Sequence, residues 1–334
     1  MSGETEMKRM FSSFRFAAAA IVSASLLFVA SQASAQQKLR VGKAQADSFS
    51  FVPVDIGIEH GFFKKYGVDV ETSGFAGDAK LQQAIAADAV DVGIGSGPAL
   101  AFVAKGNPEI GIAAMANQPL LLDLSVQPDG PVKSAADLKG KTISVSTAGS
   151  LTEWLVRETS RQQGWGPDGI KIAYLGSNSS QIAAMRSKNV DGFVADVALA
   201  YKLQEEGASR ILVRFGNIVS DFHIHVIFAT TKAVATRPND LKGFLAGWFD
   251  TIAYIRQNKQ VMVDKASKLM NISPEIASRT YDDVMPMFSD TGRFNPKALA
   301  ILAKSFVEMG VLDKEPDMSK LYTEQFLPVR SSSK

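Results

Sequence analysis

No cysteine occurs in the 334-residue chain, which excludes disulfides, thiolate metal sites and a cysteine nucleophile and leaves the fold to be held by burial alone. Histidine is nearly as scarce, at three residues. Asp221, His223 and His225 alternate along one expected strand and could meet a metal, but His60 sits on an expected helix surface with no glutamate at metal-motif spacing. The plainer expectation is that His225 packs in the strand, His223 lies at the edge of a cleft, and no metal or cofactor is held. Charge of one sign is missing too: 36 Lys and Arg against 34 Asp and Glu give a net charge of +2, so nucleic acid is not an expected partner. Two fingerprints are absent. No Gly-x-Ser-x-Gly string builds a hydrolase elbow. The run Gly93-Ile94-Gly95-Ser96-Gly97-Pro98 puts proline where a dinucleotide motif needs glycine.

What is present begins at the amino end. Lys8, Arg9 and Arg15 precede an apolar run over 16–30 that leads into Ala33-Ser34-Ala35, the layout of a signal peptide cleaved after Ala35. The run is shorter than the about 20 residues a membrane helix needs, and no later stretch matches it. A periplasmic protein, exported through a cleaved signal and not inserted in the membrane, is expected.

From residue 39 onward, short β-branched runs alternate with helical stretches: 39–43, 53–65, 68–72, 79–89 and 90–94. A second series has the same order over 141–145, 151–163, 170–175, 180–188 and 190–194. Alternation of this kind predicts an α/β fold with parallel strands. The two series align at a constant offset. Ala84, Val90 and Asp91 match Ala184, Val190 and Asp191, and Ser96 falls opposite Asp196. Each lobe therefore repeats one βαβαβ plan.

Apolar runs at 120–126 and 223–230 can carry the chain between the lobes and back, and the remainder to 329 reads as helical by its periodicity. The expected organisation is a signal peptide at 1–35, the first part of lobe one at 36–124, lobe two at 125–226, and the rest of lobe one with C-terminal helices at 227–334. Two crossings imply a hinge.

Three segments carry a family resemblance. Ile58-Glu59-His60-Gly61-Phe62-Phe63-Lys64-Lys65-Tyr66-Gly67-Val68 is similar to the Gly-Phe-Phe helix end and Gly turn of the nitrate, sulfonate and taurine type of periplasmic binding protein, a family that includes thiamine-precursor binders. Ala84 to Gly93 resembles its Val-Asp signature, with Asp88 where the family usually has glycine. Asp137-Leu138-Lys139-Gly140-Lys141 resembles its entry to lobe two. The resemblance implies a two-lobed, type II binding-protein fold, a small-molecule ligand, the membrane permease of an ABC importer as partner, and a monomer. One departure stands out: Gly192-Phe193-Val194-Ala195-Asp196 replaces an aromatic patch common after Val-Asp in the family.

In open α/β sheets ligands bind outside the carboxyl ends of strands. That rule marks Gln45, Asp47 and Ser48, then Gly77 and Asp78, then Ser96 and Gly97, with Asn117, in lobe one. In lobe two it marks Thr147, Gly149, Ser150 and Thr152, then Asn178 and Asp196, with His223 at the cleft edge. Any of these could instead be an ordinary cap or turn residue. Pro98 and Leu151 open expected helices whose free amides could face the cleft and favour an acidic head. Lys43 is the cation nearest these loops, against Asp47, Asp78 and Asp196.

The expected function is therefore solute binding without chemistry, the ligand being a sulfonate, a taurine-like molecule or another organic acid. A thiamine-precursor pyrimidine is the alternative ligand. A pyrimidine synthase sharing the scaffold is disfavoured, because its reactive site carries a cysteine cluster. A periplasmic sensor is a third reading.

Overall fold

The computed structural model describes residues 38–328, so the expected signal peptide and its cleavage site lie outside the described residues. Among the described residues no helix is long and apolar enough to cross a membrane.

Lobe one opens with β1 (Leu39–Lys43), α1 (Val52–Glu59), β2 (Val70–Gly74), α2 (Asp78–Ala86), β3 (Val92–Ser96), α3 (Leu100–Ala104) and β4 (Glu109–Ala116). Lobe two follows as β5 (Leu122–Val126), β6 (Thr142–Val145), α4 (Leu151–Gln162), β7 (Lys171–Tyr174), α5 (Asn178–Arg186), β8 (Gly192–Asp196), α6 (Val197–Glu205) and β9 (Arg210–Arg214). The chain returns through β10 (His225–Thr230) and ends in α7 (Thr231–Thr236), α8 (Pro238–Gln257), α9 (Lys259–Met270), α10 (Pro274–Val284) and α11 (Pro296–Glu308).

The two sheets share one plan, β2-β1-β3-β10-β4 and β7-β6-β8-β5-β9. In each, the first three strands run parallel and the fourth is antiparallel to both its neighbours. Strands β3, β5, β8 and β10 are buried along their whole length, which is why the middles of β3, β8 and β10 read without polar alternation, whereas β5 buries Asp123 and Ser125 between its apolar residues.

The internal repeat extends to single atoms. Asp91 accepts a hydrogen bond from the Arg40 amide at 2.9 Å, and Asp191 accepts one from the Thr142 amide at 2.8 Å. Asp88 and Lys188 occupy the same point after α2 and α5, and both are left-handed, with φ of 56° and 61°. That conformation favours glycine, which explains the residue the family prefers at Asp88.

The chain leaves the first sheet after Ala116 and joins the second at Leu122; it leaves again after Arg214 and rejoins at His225. The expected lobe boundaries at 124/125 and 226/227 thus fall inside β5 and β10. Apolarity marks those runs as strands but carries no signal of which sheet they join. The two crossings lie side by side: the Phe222 amide donates to the Asn117 carbonyl at 3.2 Å, and Gly216 packs directly on Leu120. Behind them, α10 packs on α9 and meets lobe two. Arg279 lies 3.7 Å from the centre of the Tyr201 ring, Arg214 pairs with Asp283 at 3.4 Å, and the Tyr201 hydroxyl donates to Asp283.

Candidate functional site

The carboxyl ends of the strands face one another across a cavity lined from both lobes. Its water-accessible volume is about 80 Å³, room for roughly six waters by the usual allowance for one, the scale of a small organic molecule. From lobe one come Gln45 and Ser48 after β1, Gly77 and Asp78 opening α2, and Ser96 ending β3. From lobe two come Ser150 and Thr152 at the start of α4, Asn178 opening α5, and Asp196 ending β8. All nine belong to the loops marked from sequence.

The cavity also takes residues that loop reasoning passed over. Leu121 and Leu122 at the first crossing, Val194, Leu151, Phe51 and Ala44 make its apolar wall, and Ser146, Gln181 and His225 add polar groups. Gln181 carries a readable signal, since it lies three residues beyond Asn178 on one helix and shares its face. His225 lines the cavity because β10 starts there, so its ring points out at a strand end and rests 4.9 Å from Phe51.

The six other candidates stand outside the lining. Asp47 is exposed. Asn117 and His223 join the two crossings instead. The Asn117 Oδ1 lies 3.0 Å from His223 Nδ1, whose Nε2 accepts from the Asn295 amide at 2.8 Å. Those two bonds fix the proton on Nδ1, and burial pulls the His223 pKa down to about 4. Gly97 is at a close backbone approach, where a Cβ would stand 1.9 Å from the His223 carbonyl oxygen. The Gly149 amide donates to Glu153 at 2.7 Å, and Thr147 abuts Gly77 across the lobes.

Several of the amides near these helix starts are already occupied. The Gly97 amide donates to the Ile224 carbonyl at 3.0 Å and the Ser96 amide to Asp78 at 2.9 Å. Ser150, Ser177 and Asp196 each cap their own helices, on the amides of Glu153, Ser180 and Ala198. Lys43 is spent as well, paired with Asp55 at 3.1 Å. No lysine or arginine lines the cavity.

What charge the cavity has is carboxylic. Asp196 is saturated: besides its cap, its Oδ2 accepts from the Ser48 hydroxyl at 3.0 Å and the Phe49 amide at 3.1 Å, both in lobe one. Burial raises its pKa to about 6 against those three bonds. Asp78 is buried, with only the Ser96 amide and hydroxyl on it, and burial raises its pKa too. His225 Nδ1 lies 3.3 Å from the Gly95 carbonyl and must carry the proton there; burial drives its pKa down to about 4, so the ring is neutral and Nε2 is a bare acceptor. Among the described residues no group of three or more His, Asp or Glu side chains is placed to hold a metal ion.

Two mixed sheets, two crossings and a cavity between facing strand ends are the periplasmic binding protein fold. Within it, the chain belongs to the NMT1/THI5-like family, whose model matches residues 48–260. It is 26% identical over 324 residues to a Brucella abortus (strain 2308) protein named as a binding protein, covering 92% of this chain and 98% of that one. The alkanesulfonate-binding protein SsuA of Xanthomonas axonopodis pv. citri, bound to MOPS, superposes with a TM-score of 0.75 at 15% identity, covering 87% of this chain and 99% of that one. The nitrate-binding protein NrtA of Synechocystis PCC 6803 does so with a TM-score of 0.67 at 14% identity, covering 86% of each.

Proposed function

We propose that this protein is the periplasmic solute-binding component of an ABC importer, closing its two lobes on one small organic molecule and passing it unchanged to a membrane permease. The observation that carries the reading is the cavity itself, lined from both lobes and closed by an Asp196–Ser48 contact that spans them. A site divided between hinged bodies couples binding to closure. The two hydroxyls that meet carboxylates, Ser48 on Asp196 and Ser96 on Asp78, hold the lobes and the loops together, which suits a cavity that holds a molecule without transforming it. Family membership and the relative named as a binding protein support the same reading.

An organic acid was the ligand expected from sequence, and the two structural neighbours carry alkanesulfonate and nitrate in their names. The lining gives such an anion no lysine or arginine, so the solute class is better argued from the cavity.

The test is calorimetry of the purified protein against a library of small solutes, combined with small-angle scattering and mass spectrometry of the recovered molecule. One site per chain, a smaller radius of gyration at saturation and an unaltered solute are expected. A chemically converted solute, or binding with an unchanged radius of gyration, counts against the reading.

A further inference from the structure

The cavity contains three buried acceptors and nothing of opposite charge. Asp78 has no ion-pair partner among the described residues, and its two oxygens receive only one hydrogen bond each, both from Ser96. His225 is 7% exposed and its Nε2 is buried with no hydrogen-bond partner among the described residues. Its tautomer is settled by the Gly95 carbonyl, which accepts but cannot donate, so Nε2 has only a lone pair to offer. Asp196 adds a second buried carboxyl to the same lining. Buried acceptors left unmatched are costly, and a buried carboxylate without a counter-charge more so. The neighbouring wall of Phe51, Leu121, Leu122, Leu151 and Val194 is apolar and offers them no donor.

We propose that the solute presents a positively charged, hydrogen-bond-donating nitrogen group, an ammonium, amidinium or guanidinium, seated between Asp78 and the Nε2 of His225, with an apolar portion against the leucine wall. Such a group supplies both the counter-charge that Asp78 lacks and the donor that His225 lacks. A sulfonate, carboxylate or nitrate supplies neither and meets two carboxyls. This inference rests on the cavity being the solute site of the proposed binding protein.

The experiment measures the melting temperature of the purified protein with methylguanidinium, acetamidinium and ethylammonium chlorides, and with sodium ethanesulfonate, acetate and nitrate, against sodium chloride at equal ionic strength. A ligand of the folded state raises the midpoint by mass action. At least one of the cations is expected to raise it, with none of the anions doing so. Asp78→Asn, which can keep the bond from the Ser96 amide and donate in turn to the Ser96 hydroxyl, should weaken that cation's binding at least tenfold, and His225→Phe provides the second variant should the first fail to fold. Stabilisation by an anion, or undiminished cation binding by both variants, overturns the inference and leaves solute binding standing. Failure of every probe of either charge overturns the cavity as a solute site and the functional reading with it.

Discussion

The Asp196 carboxylate spans the cleft, 3.0 Å from the Ser48 hydroxyl and 3.1 Å from the Phe49 amide, while its other oxygen caps its own helix at the Ala198 amide, 3.0 Å away. One side chain thus ends β8, starts α6 and ties lobe two to lobe one. Replacing it separates the two roles. Ser48→Ala removes one cross-lobe bond and should cost about 1 kcal/mol, whereas Asp196→Ala also loses the cap and should cost roughly 2–4 kcal/mol. Small-angle scattering without solute should show both variants more extended than the parent. Equal radii of gyration would mean the contact does not hold the lobes.

Gly97 is fixed by crowding. A methyl there would overlap the His223 carbonyl in the returning crossing, and neither backbone can yield without moving the hinge. Gly97→Ala should therefore destabilise by at least about 3 kcal/mol, at the upper end for overpacking. Urea unfolding midpoints measure it, and a near-neutral variant would place the crossing elsewhere.

At the other end of the repeat, Lys188 has a φ of 61° that side chains tolerate poorly. Lys188→Gly should stabilise by roughly 0.5–1 kcal/mol, the relief of left-handed strain less the entropy that glycine adds to the unfolded chain. Its counterpart Asp88 pairs with Lys232 and Arg40, so Asp88→Gly should gain less. Parallel denaturation curves decide the order of the two.

Stability should depend on pH with two opposed signs. His223 and His225 fall from the ordinary 6.5 to about 4, so their contribution is complete above about 6.5 and is lost as pH drops towards 4. Burial lifts Glu109 to about 8 and Asp123 to about 7. Arg214 opposes the rise at Asp123 while Asp283 and Asp196 add to it; Asn107 and Gln82 oppose it at Glu109, where Asp78 adds to it. Raised carboxyls are most favourable when protonated, so their contribution fades as pH climbs through their folded values. Between pH 6.5 and 8 the histidines are silent, and the melting temperature should fall. Glu109→Gln and Asp123→Asn should flatten that slope. A rising midpoint over the same interval would contradict the assignment.

The repeat, the alternating α/β plan and the loops that line the cavity were legible because each is written in local periodicity or spacing. Contacts between lobes were not. Asp196 was singled out by its alignment with Ser96, yet its partners Ser48 and Phe49 are set by the angle of the hinge, which leaves no trace in sequence. Lys43 looked like a cation for the site because its pairing with Asp55 depends on how α1 packs over β1. The roles of His223 and His225 turned on where β10 begins. Two residues of register decide which ring bridges the crossings and which meets the cavity.

The fourth position of each sheet has a further consequence, for the order in which the protein can assemble. All five strands of the second sheet lie between Leu122 and Arg214, so that sheet can close from one uninterrupted stretch of chain. The first cannot, because β4 touches its sheet only through β10. Until the stretch ending at Thr230 arrives, β4 has no neighbour and β3 has an open edge. A chain emerging amino end first can therefore close its second sheet while its first still waits for a strand.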